Sequence, residues 1–154
     1  MKSSSALFVI FALTCSGSSF AQYSDWINYT NGQSVYVLAD SGNELWIGAA
    51  QGGLIKLDKT TEKMTFYNHA NSGLPHNDVY ALASDGSDVW IGTWNGLAKL
   101  NGSNWTTYLR GESITKLAID RSSIWIGTET GLANFDGANW KKYTTWNSDL
   151  PDSM

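Results

Sequence analysis

Cysteine is almost absent from this 154-residue chain, which has a single one, Cys15, together with only two histidines and two prolines. One thiol excludes an intramolecular disulfide, and two histidines leave little material for a His-based catalytic set. Basic residues are also few, since ten Lys and Arg stand against fourteen Asp and Glu, a formal charge of −4. No nucleic acid partner is expected, because neutralising phosphates needs a face rich in Lys and Arg.

Long apolar runs are missing too, and the longest, residues 6–13, is too short to span a bilayer. This run follows Lys2 and precedes Ser19-Phe20-Ala21, whose small residues suit a signal peptidase. Residues 1–21 are therefore predicted to be a signal peptide, and the protein is expected to be periplasmic or secreted. Lipidation at Cys15 is disfavoured, because Thr14 stands where a lipoprotein signal has Gly, Ala or Ser.

Aromatic residues, by contrast, are abundant at 13% of the chain, with eight tryptophans. Three of them stand in one recurring tetrapeptide, which appears as Leu45-Trp46-Ile47-Gly48, Val89-Trp90-Ile91-Gly92 and Ile124-Trp125-Ile126-Gly127. Recurrence at one strand position is typical of packing between repeated units. Core or close-approach roles are therefore predicted for the repeat positions Trp46, Gly48, Trp90, Gly92, Trp125 and Gly127.

Three further segments recur around each tetrapeptide, so each unit contains four short strands. An alternating strand and an Asp-containing turn come before it, and a Gly-Leu strand and a Trp-x-x-Tyr strand follow. Antiparallel four-stranded units at residues 34–67, 78–108 and 113–143 predict all-β β-propeller blades. A β-sandwich does not explain the repeated Trp and Gly, and helical solenoids fail because no segment has a 3.6-residue period.

The unit count predicts a partial propeller, because closed propellers have four to eight blades. Residues 22–154 form the predicted propeller domain, with a leftover outer strand at residues 26–29. Residues 147–154 repeat the first blade linker and so begin a linker to a further blade. The sequence therefore predicts a piece of a longer array.

The combination of Trp-Ile-Gly-Thr, Gly-Leu-x-x-Phe/Leu-Asp/Asn-Gly, Trp-x-x-Tyr and Asn-Ser-x-Leu-Pro resembles the two-component regulator propeller family. The resemblance covers essentially all of residues 22–154. It implies an exported ligand-sensing propeller, most often the periplasmic part of a histidine kinase or hybrid regulator, with glycans as common ligands. It also implies further blades and a membrane kinase as partners in a full-length chain.

Ligand-binding residues are predicted where the units stop agreeing, directly after Trp-Ile-Gly. In a propeller, the loop between the second and third strands emerges on the same face as the blade linkers. Aromatic and amide side chains there suit a sugar, whose ring stacks and whose hydroxyls need polar partners. The predicted face comprises Gln51, Trp94, Asn95 and Glu129 from the loops and Asn71, His76, Asn77 and Arg110 from the linkers.

No metal, cofactor or catalytic residue is expected. Asp40, Asp85 and Asp120 are interpreted as turn residues rather than calcium ligands, because each has irregular neighbours. His69 and His76 lie in one linker without a repeated carboxylate partner or a nucleophile motif.

The predicted function is a non-catalytic module that binds a small extracellular ligand such as an oligosaccharide. Two alternatives stay open. One is a propeller lyase, which would use His and Glu side chains on the same face. The other is a protein-interaction scaffold that pairs through exposed blade edges.

Overall fold

The computed structural model describes residues 33–151 of the chain. The predicted signal peptide, the predicted outer strand at 26–29 and the last three residues of the predicted linker at 147–154 lie outside these residues. Between residues 33 and 151 no helix is long and apolar enough to span a membrane.

Twelve strands form three four-stranded sheets in the described part of the chain. Sheet 1 contains β1 (Val35–Ser41), β2 (Glu44–Ala49), β3 (Gly53–Asp58) and β4 (Met64–Tyr67). Sheet 2 contains β5 (Val79–Ser84), β6 (Asp88–Thr93), β7 (Gly96–Asn101) and β8 (Asn104–Tyr108). Sheet 3 contains β9 (Ile114–Asp120), β10 (Ser123–Thr128), β11 (Gly131–Phe135) and β12 (Trp140–Tyr143).

Each sheet is an antiparallel meander, with its strands paired in chain order. The first strands of successive sheets lie side by side, β1 beside β5 and β5 beside β9. The three sheets of the described residues do not close into a ring. The predicted all-β fold of partial-propeller blades is thus confirmed.

The turns after the first strands are built in three different ways. Asp85 Oδ1 accepts hydrogen bonds from the backbone N–H of Ser87 and Asp88 at 3.0 and 2.8 Å, as an Asx turn requires. Asp40 instead forms an ion pair with Lys59 at 2.7 Å. Asp120 contributes its carbonyl oxygen, which accepts from the Ser123 hydroxyl at 3.1 Å.

The repeated glycine of the second strand lets neighbouring sheets approach closely. A Cβ on Gly48 would lie 2.6 Å from Val79 Cγ1, and a Cβ on Gly92 would lie 2.6 Å from Ile114 Cγ2. Val79 and Ile114 begin the first strands of sheets 2 and 3 and are fully buried. The glycine and the β-branched residue of the next sheet therefore form one contact.

Two apolar cores lie between the sheets. Trp46, Leu54 and Leu74 meet Val79, Ile91 and Leu100 of sheet 2 in the first core. Trp90 and Leu97 meet Ile114, Ile124 and Ile126 of sheet 3 in the second. The units thus bury their apolar faces against one another.

The tryptophans of the first two tetrapeptides are buried, with Trp46 3% and Trp90 6% exposed. A lysine of the adjacent strand lies over each ring, with Lys56 Nζ 5.5 Å and Lys99 Nζ 5.2 Å from the centroid. These lysines also pair with Glu44 and Asp88 respectively. Each lysine ammonium group is thus held between an aromatic ring and a carboxylate, and both contacts stabilise its position.

Trp-x-x-Tyr connects neighbouring sheets along their outer strands. Tyr67 contacts Trp105 of the next sheet with ring centroids 5.5 Å apart, and Tyr108 contacts Trp140 at 5.6 Å. Tyr143 of sheet 3 stacks on Trp125 of its own sheet. Trp125 is only half-buried, because no further sheet of the described residues lies against it.

Candidate ligand-binding face

The loops that follow Trp-Ile-Gly begin beside the residues that precede the first strand of each sheet. The Ala50 amide donates to the Ser34 carbonyl at 2.9 Å, and the Trp94 amide donates to the Asp78 carbonyl at 3.2 Å. The third sheet repeats this bond between Glu129 and Ser113 at 3.3 Å. One hydrogen bond per sheet therefore brings each variable loop to the same end of the molecule as the blade linkers.

A threonine closes the loop in sheets 2 and 3. Thr93 Oγ1 donates to the Gly96 carbonyl at 2.7 Å and accepts from the Asn95 amide at 3.3 Å. Thr128 makes the corresponding donation to Gly131 at 3.0 Å. These bonds hold Trp94 and Glu129 at equivalent positions of neighbouring sheets.

Sheet 1 has Ala49 at this position, so its loop lacks the threonine hydroxyl. This loop is also one residue longer than the loops of sheets 2 and 3. Gln51 in this loop has a φ of 55°, a left-handed conformation that is uncommon outside glycine. The backbone N–H of Gln51 donates a hydrogen bond to Asp78 Oδ1 at 2.7 Å. The carboxylate of the next sheet therefore stabilises the loop in place of the threonine.

Asp78 is the residue on which this face is centred. Besides its bond to Gln51, its own amide donates to His76 Nδ1 at 3.1 Å. Its second carboxylate oxygen lies 3.5 Å from the same nitrogen. The sequence-predicted residues Gln51, His76 and Trp94 thus all contact Asp78.

Three aromatic rings follow one another along this face. Tyr36 and Tyr80 lie at matching positions of β1 and β5, with centroids 5.5 Å apart and planes inclined by 37°. Tyr80 meets Trp94 at 6.4 Å and 78°. Tyr36 is 54% and Trp94 52% exposed, so both rings offer open surface to a ligand.

The pKa of the Tyr80 hydroxyl is raised above its ordinary value. Burial contributes most, followed by the charge of Asp78, by Tyr36 and by the charge of Glu129. Glu129 therefore acts on the aromatic row from the neighbouring sheet.

Asn71 and Asn77 use their side chains to hold the first linker. Asn71 Oδ1 accepts from the Asn68 amide at 2.8 Å, and its Nδ2 donates to the Phe66 carbonyl at 3.1 Å. Asn77 Oδ1 accepts from the His69 amide at 2.7 Å. Asn147 repeats the Asn71 pattern in the last linker. Both asparagines thus shape the linker that carries His76.

Asn95 and Arg110 lie at the rim of the face. Both are exposed, Asn95 in the Trp94 loop and Arg110 after the outer strand β8. A Cβ on Gly96 would lie 3.4 Å from Arg110 Cα, which places the Arg110 backbone against the end of that loop.

The histidines make hydrogen bonds within the linker. His69 Nδ1 lies 2.8 Å from the Leu74 carbonyl, and His76 contacts Asp78. Within residues 33–151 no three His, Cys, Asp or Glu side chains come together as a metal site would require.

Sequence reasoning missed Tyr36, Asp78 and Tyr80. A usable signal was present, because Val35-Tyr36 and Val79-Tyr80 open equivalent strands. In both strands the tyrosine falls at a register shift, between Val35 and Val37 and between Val79 and Ala81, so a β-bulge sets the direction of the ring.

Comparison with known proteins agrees with this architecture. The family model described as two component regulator propeller matches residues 73–95. No curated protein matches the chain.

Three solved structures share the fold. The extracellular domain of BT4673 from B. thetaiotaomicron, a proposed one component system, is 27% identical with a TM-score of 0.63, over 70% of this chain and 16% of that one. The extracellular domain of BT3049 from B. thetaiotaomicron, a proposed hybrid two component system, is 21% identical with a TM-score of 0.68, over 79% and 18%. PorZ of Porphyromonas gingivalis, a surface component of the type-IX secretion system, is 19% identical with a TM-score of 0.57, over 72% and 17%.

The chain spans about one sixth of the length of these structures. The matched residues 73–95 run from the first linker through β5 and β6 to the Trp94 loop, so they include Asp78 and Tyr80. The chain therefore carries the two-component regulator propeller repeat, and the resemblance predicted from its sequence is confirmed.

Proposed function

We propose that this chain is an exported, non-catalytic module that binds a small extracellular ligand, preferably an oligosaccharide, as the sensor part of a two-component regulator. The observation that carries the proposal is the exposed aromatic row of Tyr36, Tyr80 and Trp94 at the loop end of the sheets. Aromatic faces stack on sugar rings, and neighbouring polar groups orient the hydroxyls.

Three further observations support the proposed binding and sensing roles. The loops stand on rigid sheets, a common arrangement for binding sites. Gln51, His76 and Glu129 add polar groups around the row, with Asn95 and Arg110 at its rim. The similar B. thetaiotaomicron structures are extracellular domains of proposed one component and hybrid two component systems, which supports a sensing role outside the cell.

Trp94 provides the direct test of binding. Isothermal titration calorimetry of the full chain against an oligosaccharide panel should yield a ligand whose affinity falls on Trp94→Ala. Stacking contributes about 1 kcal/mol or more beyond burial, so the loss should be at least ~5-fold.

Trp146→Ala is the matched control, because Trp146 is 96% exposed and lies in the last linker. It should leave the affinity unchanged. Equal losses in the two variants, or no ligand in the panel, would contradict the proposal, as would release of a cleavage product that depends on His76.

Export and signalling need their own measurements. N-terminal sequencing of the protein recovered from the periplasm or medium should begin at Gln22. A lipid-modified Cys15 at the N-terminus would contradict cleavage after Ala21. A reading frame that continues into further blades and a membrane kinase would support the sensor role, and a stop codon after Met154 would contradict it.

A further inference from the structure

We infer that the corner formed by Tyr36, Tyr80 and Trp94 recognises an organic ammonium group on the ligand. The inference rests on the proposed function and names the chemistry that the same face selects. Its parts are the geometry of the rings, their exposure and the charge around them.

The rings form a corner rather than a flat platform. Tyr80 and Trp94 are nearly perpendicular, at 78°, so the two rings form adjacent walls rather than one plane. Tyr36 continues the Tyr80 wall at 37°. A cation within about 6 Å of several ring faces is attracted by the electron-rich π-system of each, which is how aromatic cages bind quaternary ammonium groups.

Exposure separates this corner from the tryptophans of the two inter-sheet cores. Trp46 and Trp90 are buried in the cores, and a lysine already lies over each ring. Tyr36 and Trp94 are about half exposed, and within the described residues no lysine lies over either ring. A cation from outside would therefore take the place that Lys56 and Lys99 occupy at the buried tryptophans.

Carboxylates flank the corner. Asp78 is held beside the Trp94 backbone by its contacts with Gln51 and His76. Glu129 approaches from sheet 3, and its charge contributes to the raised pKa of Tyr80.

Four lysines form ion pairs with carboxylates other than Asp78 and Glu129. They form the pairs Lys56–Glu44, Lys59–Asp40, Lys99–Asp88 and Lys142–Glu112. Carboxylates beside an aromatic surface favour a cation over a uronic acid or a sulfated sugar.

An ammonium group could belong to an amino sugar or to a small quaternary amine. Three probes distinguish these sources by calorimetry on the full chain: a glucosamine tetrasaccharide, its fully N-acetylated counterpart and choline. Acetylation removes the charge and keeps the sugar rings, so it isolates the contribution of the ammonium group.

We expect the glucosamine tetrasaccharide to bind about 2- to 30-fold more tightly than its acetylated counterpart, the range that cation–π attraction spans. Glu129→Gln should shrink this preference. Trp94→Ala and Tyr36→Ala should weaken the amine-bearing ligand, and Trp146→Ala should not.

The outcomes separate the two proposals. Equal binding of the two tetrasaccharides, with both lost on Trp94→Ala, would overturn the ammonium inference and uphold glycan binding. Trp94-dependent binding of choline without either sugar would uphold the ammonium inference and contradict glycan binding. Failure of all three probes would overturn both.

Discussion

Individual glycines decide how closely two sheets can pack. Gly48 and Gly92 stand opposite Val79 and Ile114, and any side chain there would enter the space of a fully buried neighbour. Gly127 occupies the same strand position in sheet 3, and the three atoms nearest to a Cβ there all belong to its own sheet. One residue type at one position therefore has different energetic roles in different sheets.

Gly92→Ala and Gly127→Ala form a matched pair. The Cβ of the first would lie 2.6 Å from Ile114 Cγ2, so overpacking should lower the free energy of unfolding by about 1–3 kcal/mol. The Cβ of the second would lie 3.3 Å from the Cβ of exposed Lys116, and a change below about 1 kcal/mol is expected. Urea denaturation measures both, and equal losses would contradict the assigned contact.

Asn71→Ala tests whether this residue shapes the linker or touches the ligand. The hydrogen bonds of the Asn71 side chain with the Asn68 N–H and the Phe66 carbonyl would be lost, which should lower the free energy of unfolding by about 0.5–1.5 kcal/mol. Ligand affinity should be retained, whereas Asn95→Ala should alter affinity at nearly unchanged stability. Thermal denaturation measures the stability of both variants, and calorimetry measures their ligand affinity. Lost affinity in Asn71→Ala together with lost stability in Asn95→Ala would contradict these roles.

Loops and linkers are tied to strands by a few side chains. Thr93 and Thr128 close their loops within one sheet, whereas the Gln51 loop depends on Asp78 of the next sheet. In sheet 3, Glu112 plays a comparable tying role. It accepts from Lys142 Nζ at 2.6 Å and from the Thr130 hydroxyl at 3.0 Å, and so joins the linker before β9 to β12 and to the β10–β11 loop.

Glu112→Gln should change stability in a pH-dependent way. The Lys142 hydrogen bond is the largest influence on the pKa of Glu112; burial opposes it, the Thr130 bond adds to it, and the net pKa lies below the ordinary 4.5. A carboxyl group with a lowered folded-state pKa stabilises the fold above its ordinary pKa. That contribution disappears as the pH falls through the folded-state value.

Glu112→Gln should therefore cost about 0.5–1 kcal/mol at pH 7, a modest value because Lys142 is largely exposed. The cost should vanish at acid pH, once the pH lies below the lowered folded-state pKa of Glu112. Urea denaturation at both pH values measures this, with Glu62→Gln as the exposed control. A loss that is independent of pH would contradict the ion-pair explanation.

Within residues 33–151 the sheets share two buried inter-sheet cores, and the outer face of sheet 3 stays open. Trp125, Leu132, Tyr143 and Leu150 share a hollow on sheet 3. Trp90 and Leu97 hold the corresponding places in sheet 2 and are buried. The repeated units therefore have the same apolar residues but different amounts of burial, according to whether another sheet covers them.

Leu97→Ala and Leu132→Ala measure this difference. Leu97 is fully buried, so its truncation should cost about 2–5 kcal/mol. Leu132 is half-buried, and about half that loss or less is expected. Denaturation of the two variants provides the comparison, and equal losses would mean that sheet 3 is covered in solution.

Much of the architecture was predictable because each unit repeats the chemistry that forms it. The predicted third strands at Gly53 and Gly96 begin where β3 and β7 begin, since the same Gly-Leu pattern opens both. The turns were less uniform than their shared aspartate indicated, because Asp40 finds a lysine and Asp85 caps its own turn.

The candidate site was only partly predictable. Trp94 and Glu129 were predicted because the units disagree there, and unit-to-unit variation is visible in the sequence. Tyr36 and Tyr80 escaped notice because each looks like an ordinary residue of an alternating strand. Their contact joins residues of different sheets, and sequence spacing does not determine which rings meet across such a gap.

The sequence by itself determined the blades: strand order, hairpins, and the Trp, Gly and Tyr positions that pack one sheet on the next. Short-range alternation and repeated residues suffice for this, since hairpin pairing and a single packing contact recur in every unit. Only the tertiary structure decided that Asp78 supports the Gln51 loop and that Tyr36, Tyr80 and Trp94 form one corner. Those contacts depend on how successive sheets are placed side by side, so they arise only once the two cores have formed.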